Sequence, residues 1–221
     1  MPLVDKDKAI VKSLLKWHRE NRRVFPWRGV RDPYRVFIAE FFLQRTPANR
    51  VATIFPKFIE EFPSSQKLAH ADLVQLETIY RSLGLKKRMS WLVESMKIIC
   101  EKYSESIPDT QEGLMELPGV GEYTASATLC FGFGHHVPIV DANIIRILTR
   151  VFYLPETHRI GNITIKEIAK RILSTNQAVA YNEALLDLAA LICKKRPLCN
   201  CCPLRSLCAY NREHRKNLAG N

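Results

Sequence analysis

Four cysteines with the chemistry of metal ligands lie close together in the last thirty residues of the 221-residue chain: Cys193, Cys199, Cys202 and Cys208. Their spacing is Cys-x5-Cys-x2-Cys-x5-Cys, which places them within 16 residues. Thiolates this close together usually hold a metal in a reducing compartment, and four sulfur ligands suit a [4Fe–4S] cluster or zinc. A zinc ribbon would more often show two Cys-x2-Cys pairs, whereas only one is present. The spacing therefore predicts a metal centre.

The other cysteines and the N-terminal residues indicate the compartment. Cys201 lies between two predicted ligands and is expected to be a bystander, while Cys100 and Cys130 sit on apolar helical faces typical of core cysteines. The first residues show no signal-peptide core. We therefore expect an intracellular, cytoplasmic protein, in which seven cysteines are not a disulfide framework.

A glycine-containing turn suited to phosphate binding occupies residues 117–124, which read Leu-Pro-Gly-Val-Gly-Glu-Tyr-Thr. Gly119 and Gly121, on either side of Val120, allow a tight turn whose backbone N–H groups point outward. The N-terminus of the following helix adds positive charge, and the two together suit a DNA phosphate without reading sequence. On its own, a motif this short more often indicates an ordinary turn between helices.

An aspartate at a predicted helix start is the first candidate for catalysis. Asp141 follows the apolar residues 137–140 and precedes a helical pattern, so it is well placed as an N-cap. The helix dipole favours its negative charge, and a carboxylate held this way could stabilise a developing cation.

The charge balance narrows the class of partner. A formal net charge of +11 suggests a polyanion, either a nucleic acid or a membrane surface. No apolar run approaches the roughly 20 residues needed to span a bilayer. The charge therefore favours a nucleic acid, with no membrane partner.

The elements that must position these residues are helices. Apolar residues recur at helical spacing from Ile10 to Trp17, from Val51 to Phe58, and over 73–79, with a stop near Gly84. A longer helix is predicted from Met89 to Ile99, and others over roughly 122–131, 142–152, 164–174 and 178–193. Asp32-Pro33 and Thr46-Pro47 each read as an N-cap followed by proline at the first helical position. No sustained alternation predicts a strand, so the fold class is all-α.

In combination, these motifs resemble endonuclease III and its relatives, the helix-hairpin-helix DNA glycosylases. The features shared are Leu-Pro-Gly-Val-Gly at 117–121, Val-Asp at 140–141 and the four cysteines near the end. The blocks Phe-Pro-Trp-Arg at 25–28, Asp-Pro-Tyr at 32–34 and Glu-Phe-Phe-Leu-Gln-Arg-Thr at 40–46 are similar to the mismatch branch. This branch contains adenine glycosylases and thymine/uracil mismatch glycosylases. The resemblance covers about residues 8–208.

The resemblance implies a fold and a partner. Residues 29–135 would form a six-helix barrel with the hairpin, and residues 1–28 with 136–221 a lobe carrying a [4Fe–4S] cluster. The cleft between the lobes would receive a base flipped out of double-stranded DNA at a mismatched or damaged pair. We expect a monomer. DNA phosphates would contact the hairpin amides and three basic residues near the cluster, Lys194, Lys195 and Arg196.

The resemblance also implies roles for individual residues. Asp141 matches the family's catalytic aspartate, which stabilises an oxocarbenium-like sugar and helps position the attacking water. Glu40 matches the acid that assists the leaving base. Arg45 matches the side chain that fills the hole left by the flipped nucleotide, and Leu85 resembles the wedge on the opposite strand.

The subtype depends on three further positions. Tyr123 stands where strand-cutting members carry lysine, adenine enzymes typically serine and thymine/uracil enzymes tyrosine, which implies a monofunctional glycosylase. Ala48 also resembles the thymine branch. Glu183 departs from both branches, since its position resembles glutamine in adenine enzymes and an apolar residue in thymine enzymes. The first cluster arm also departs, with five residues where six are usual.

The sequence thus predicts a thymine/uracil glycosylase acting on G·T and G·U pairs. Within the same class, the alternative is a glycosylase for adenine or another damaged base. An alternative of another class is a non-catalytic hairpin protein that binds DNA and holds a structural zinc. The presence of both Asp141 and Glu40 argues against this last alternative.

Overall fold

The computed structural model describes residues 5–80, 86–152, 162–173 and 176–213. All the secondary-structure elements assigned in these ranges are helices or helical turns. This confirms the predicted all-α class for the part of the chain described. The helices are α1 (Asp5–Asn21), α2 (Pro33–Leu43), α3 (Ala48–Glu61), α4 (Ser65–Ala69), α5 (Leu73–Ile79), α6 (Lys86–Lys102), α7 (Gln111–Met115), α8 (Glu122–Ala127), α9 (Ala142–Phe152), α10 (Asn162–Ile172) and α11 (Ala178–Leu191). A π-helical turn, Thr128–Phe133, continues α8, and a 3₁₀ turn covers Cys199–Cys201.

The chain forms two compact units, residues 24–135 and residues 1–23 with 136–221. The first boundary falls after Arg23 rather than after Arg28, where the sequence places it. The reason is aromatic packing: Phe25 stacks on Trp27 at a centroid distance of 4.9 Å, and Trp27 meets the ring of Phe55 edge-on at 5.5 Å. These contacts attach residues 25–27 to the continuous unit.

The core of unit 24–135 is built around α2. Every residue of this helix from Val36 to Phe42 is buried, so α2 is enclosed on all sides instead of showing an amphipathic stripe. The Phe58 ring lies edge-on to Phe42 at 4.7 Å and to Tyr80 at 5.0 Å, which joins α3 to the same core. Residues on α2 are therefore held rigidly by their surroundings.

Local capping explains where α2 begins but not where α3 begins. The Asp32 side chain accepts a hydrogen bond from Arg35 N at 3.1 Å, so this predicted N-cap is confirmed. The predicted cap at Thr46 is wrong: α3 begins at Ala48 after Pro47, and no side chain caps it. Thr46 Oγ1 instead donates to the backbone oxygen of Gln44 at 3.4 Å. The hydroxyl is used within the turn that precedes the helix.

The core of unit 1–23 with 136–221 combines apolar packing with buried ion pairs. α1 packs on α11, and His18 Nε2 lies 3.2 Å from Asp187 Oδ2, whose other oxygen accepts from Arg23 Nε at 2.6 Å. Asp7 on the same helix pairs with Arg171 of α10 at 2.8 Å. Both aspartates are fully buried, so these partners supply the compensation that a carboxylate in the core requires.

In the described part of the chain, no helix combines the length and the apolar content needed to cross a membrane.

Candidate active site

The glycine turn lies between α7 and α8 and is shaped by two different constraints. Gly119 has a φ of +77°, and a Cβ there would stand 2.9 Å from Trp91 Cε3 and 3.2 Å from Phe41 Cζ. Glycine is required here both for its backbone conformation and for the close packing. A Cβ on Gly121 would meet nothing within 4 Å, so the space beside Gly121 is open. That opening leaves room for another molecule to approach the backbone.

The hairpin is tied to the end of α2. Gln44 Nε2 donates to Gly119 O at 3.0 Å and to Thr124 Oγ1 at 3.2 Å, and Arg88 Nη1 donates to Gln44 O. Arg45, the next residue, is exposed and has a left-handed φ of 57°, uncommon for a residue with a side chain. Arg45 therefore projects from a turn that is fastened to the hairpin.

Glu40 and Tyr123 lie on neighbouring elements of this same unit. Glu40 is on α2, 3% exposed, among apolar residues. Tyr123 is the second residue of α8 and is half-buried, and α8 packs against α2. Ala48 is the first residue of α3. Leu85, expected as the wedge, lies outside the described residues.

Asp141 belongs to the other unit, where it caps α9. Its Oδ1 accepts from Asn143 N at 2.9 Å and Ile144 N at 2.8 Å, and its Oδ2 accepts from Asn143 Nδ2 at 2.7 Å. The predicted N-cap is thus confirmed. The side chain is half-buried, and its carboxylate is fixed in one orientation at the positive end of α9. A charge fixed in this way needs little reorganisation to stabilise a cation.

Glu183 is buried on α11 and pairs with an arginine that the sequence gave no reason to consider. Arg22 Nε donates to Glu183 Oε2 at 3.0 Å, and Arg22 Nη2 donates to Oε1 at 3.3 Å. The Arg22 side chain keeps 43% of its surface exposed. The accessible part of this pair is therefore a guanidinium edge and not an isolated carboxylate.

The four cysteines predicted as ligands line one cavity. Burial, and then the neighbouring sulfurs, raise the pKa of Cys202 to about 12. Burial is also the main cause of the raised pKa of Cys199 and of Cys208. Four soft ligands around one space fit a metal group, whose positive charge would favour the thiolates.

A metal at the cysteine cavity would use the four sulfurs differently according to its kind. Within the described ranges, no group of three or more His, Cys, Asp and Glu side chains could hold a metal ion as it stands. A tetrahedral zinc requires four sulfurs about 2.3 Å from one point, whereas each thiolate of a [4Fe–4S] cluster binds its own iron.

The chain between the first two cysteines is held from α9. Arg150 donates to Lys194 O at 2.7 Å and to Lys195 O at 3.0 Å, and Arg146 Nε donates to Cys193 O at 2.9 Å. These bonds occupy the backbone carbonyls and leave the side chains of Lys194, Lys195 and Arg196 exposed. Their positive charge is available to a polyanion.

A protein-family model described as "HhH-GPD superfamily base excision DNA repair protein" matches residues 38–174. The chain belongs to the HhH-GPD superfamily. It is a DNA glycosylase of that family, and the matched range contains Glu40, the hairpin, Tyr123 and Asp141. The range ends before Cys193, so the family match itself does not extend to the cysteine cavity.

Relatives of this HhH-GPD glycosylase are named for two kinds of base, thymine or uracil on the one hand and adenine on the other. A thymine-DNA glycosylase of Aeropyrum pernix is 35% identical over 91% of this chain and 94% of its own length. A thymine/uracil-DNA glycosylase of Methanothermobacter thermautotrophicus is 31% identical over 93% and 94%. An adenine DNA glycosylase of Buchnera aphidicola is 34% identical over 89% of this chain but 57% of its own length.

Solved structures agree on the fold. The structure of a thermostable thymine-DNA glycosylase superposes with a TM-score of 0.86 at 31% identity, covering 94% of this chain and 97% of that one. A non-covalent endonuclease III–DNA complex superposes with a TM-score of 0.79 at 20% identity, a likeness that concerns the fold alone.

The exposed basic residues lead to a prediction about salt. Lys194→Ala should weaken binding to all duplexes alike and reduce the slope of log affinity against log salt by about one unit, because one phosphate contact and its released counterion are lost. Duplex affinity measured from low to moderate salt checks this. The matched control is Lys97→Ala, which removes an exposed lysine from α6. Equal slopes for wild type and Lys194→Ala would contradict a phosphate contact.

Several residues of the site gave no signal in the sequence. Arg88 donates to Gln44 O beside the hairpin, Arg22 pairs with Glu183, and Arg146 and Arg150 hold the cysteine segment. Each acts through a contact with a residue distant in the chain, and no motif or periodicity announces such contacts.

Proposed function

We propose that this HhH-GPD glycosylase removes thymine and uracil from G·T and G·U pairs and leaves the DNA strand intact. In this proposal, the Arg22–Glu183 pair determines which base is accepted. An isolated carboxylate would accept from the exocyclic amine of adenine, whereas a guanidinium edge offers N–H donors that match the carbonyl oxygens of thymine and uracil. The similarity to thymine and thymine/uracil enzymes over nearly their whole length supports the same choice.

In the proposed reaction, the bond between the base nitrogen and the sugar C1′ breaks and a water oxygen bonds to C1′. The fixed Asp141 carboxylate stabilises the cationic sugar and orients the water. Glu40, in its protonated form, donates a proton to the leaving base, and the proton that the attacking water loses passes to solvent. Arg45 fills the space that the flipped nucleotide vacates, while the hairpin amides and the basic side chains at 194–196 bind phosphates.

We infer that the four cysteines hold a [4Fe–4S] cluster. Its contribution would be structural, since metal binding closes the loop that carries the ligands. The loop also presents Lys194, Lys195 and Arg196, so its closure would fix three positive charges against the DNA backbone.

A panel of duplexes tests the base assignment. The protein is incubated with duplexes bearing T, U, A or an oxidised base opposite each partner, and abasic sites are then cleaved with alkali. We expect alkali-dependent nicks at T and U opposite guanine. Nicks confined to A would reject the proposal in favour of the adenine enzyme, which the match to adenine DNA glycosylases keeps as the second candidate.

Tyr123 provides a prediction about strand cleavage. A phenol cannot form an imine with the abasic sugar, so wild type should give an intact strand and no borohydride-trapped complex. In Tyr123→Lys, the new amine can attack C1′ of the ring-opened sugar, lose water and promote cleavage of the 3′ phosphate ester. We expect measurable nicking and trapping on a preformed abasic site. Tyr123→Phe keeps the ring without an amine and is the control.

Trapping of wild type would contradict the monofunctional assignment, because another amine of the chain would then be reacting. Trapping of Tyr123→Phe would lead to the same conclusion. Use of a preformed abasic site keeps these outcomes independent of how fast each variant releases a base.

A further inference from the structure

One face of α6 contacts two parts of the site that is expected to bind DNA, the turn at Arg45 and the glycine hairpin. Arg88, Trp91 and Ser95 are spaced by three and four residues, so they lie along the same side of the helix. Arg88 donates to Gln44 O, and Trp91 packs under Gly119. Ser95 Oγ lies 2.8 Å from Trp91 O in its own helix and 3.2 Å from Pro118 O in the hairpin. The Arg45 turn and the hairpin are thus supported by one element.

The turn at Arg45 needs that support. A residue with a Cβ enters the left-handed region at a cost, and it stays there when its surroundings determine the conformation. Gln44 immediately precedes Arg45. Its side chain donates to Gly119 O and Thr124 Oγ1, and its backbone carbonyl accepts from Arg88. Among these contacts, the one made by Arg88 acts directly on the peptide unit that joins Gln44 to Arg45.

Charge adds to this support. Arg88 is half-buried, and both its burial and the nearby positive charge of Arg45 lower its pKa. The two guanidinium groups repel each other, and Arg88 is held by its hydrogen bond to Gln44 O while the Arg45 side chain is exposed.

We propose that Arg88 is a positioning residue for Arg45. It holds the Gln44 carbonyl so that Arg45 keeps its left-handed backbone and directs its side chain away from the protein, in a fixed position relative to the hairpin. This proposal rests on the proposed function, in which Arg45 occupies the space left by a flipped nucleotide.

A double-mutant cycle tests the dependence of one arginine on the other. Arg88→Met should slow single-turnover release of thymine from a G·T duplex by about 10- to 100-fold, because small misplacements of a positioning group have effects of this size. Arg88→Lys, which keeps a charge and a donor, should recover most of the rate. Adding Arg88→Met to Arg45→Ala should change the rate by less than about twofold. Additive losses would overturn the proposal.

Binding supplies a readout independent of base release. On a duplex with a tetrahydrofuran abasic analogue opposite guanine, Arg45→Ala and Arg88→Met should lose affinity to a similar extent, and the double variant no further. On a fully matched duplex, both should bind like Lys97→Met, the control for a positive charge lost from α6. Equal losses on both duplexes would mean that Arg88 contributes charge alone and would overturn positioning.

Failure of the proposed function and failure of this inference are distinguishable. If wild type releases neither thymine nor uracil, the base assignment fails, while the abasic-analogue cycle still decides the role of Arg88. If Arg88→Met does not fold, Arg88→Gln replaces it, since a neutral amide keeps one donor and removes the charge. For either variant, non-additivity with Arg45→Ala supports the proposal and additivity overturns it.

Discussion

Asp141→Asn should slow single-turnover base excision by at least about 100-fold, the scale of losing one electrostatic stabiliser. The substitution removes the negative charge and the bond from Asn143 Nδ2, but it preserves the backbone cap, because the asparagine oxygen can still accept from Asn143 N and Ile144 N. α9 should therefore begin at the same residue, and duplex affinity should change little. Excision rates with enzyme in excess over a G·T duplex provide the measurement.

Asp72→Asn is the matched control for that substitution. Asp72 caps α5 with similar geometry, its Oδ1 accepting from Val74 N at 2.8 Å and Gln75 N at 3.0 Å. Both variants should melt close to wild type, but only Asp141→Asn should lose excision. Near-normal excision by Asp141→Asn would show that Asp141 acts only as a helix cap.

Cys202→Ser should abolish metal binding and destabilise the unit formed by residues 1–23 and 136–221. The thiol at 202 lines the cysteine cavity, and serine replaces a soft ligand with a poor one. Wild type should be brown, with broad visible absorption and about four irons per chain. The variant should be colourless or insoluble, since the loop cannot close around the metal.

Cys201→Ser is the control, because Cys201 is next to Cys202 in the chain but is exposed and does not line the cavity. It should stay brown, with the iron content and excision rate of wild type. Loss of iron from Cys201→Ser with retention by Cys202→Ser would show that the ligand assignment is wrong. Stoichiometric zinc in place of iron would reject the cluster and leave the fold unchanged.

Local signals in the sequence predicted much of the fold. The caps at Asp32 and Asp141 depend on neighbouring residues, so the aspartate and the apolar pattern behind it were sufficient to locate the starts of α2 and α9. The two glycines likewise predicted the turn between α7 and α8. Thr46 misled because α3 begins one residue later than the Thr-Pro pair predicts, so Pro47, which has no side-chain acceptor, stands at the N-cap position.

The parts of the site that sequence could not predict depend on distant contacts. Arg22 and Glu183 are separated by 161 residues, so neither helical periodicity nor a short motif relates them. Glu183 alone suggested a hydrogen-bond acceptor, whereas the pair exposes a donor. The left-handed backbone conformation of Arg45 also depends on distant residues, because Arg88 and the hairpin hold Gln44, the residue before it.

The pairing of α1 with α11 has a consequence for synthesis on the ribosome. Arg23 contacts Asp187, 164 residues later, whereas unit 24–135 is one continuous stretch. At about 5–20 residues per second, α1 waits roughly 10–30 s for its partner helix to be made. In that interval the continuous unit can fold, while Ile10, Leu14 and the other core residues of α1 remain uncovered. Nascent chains should therefore recruit holdase chaperones through this first helix until translation passes α11.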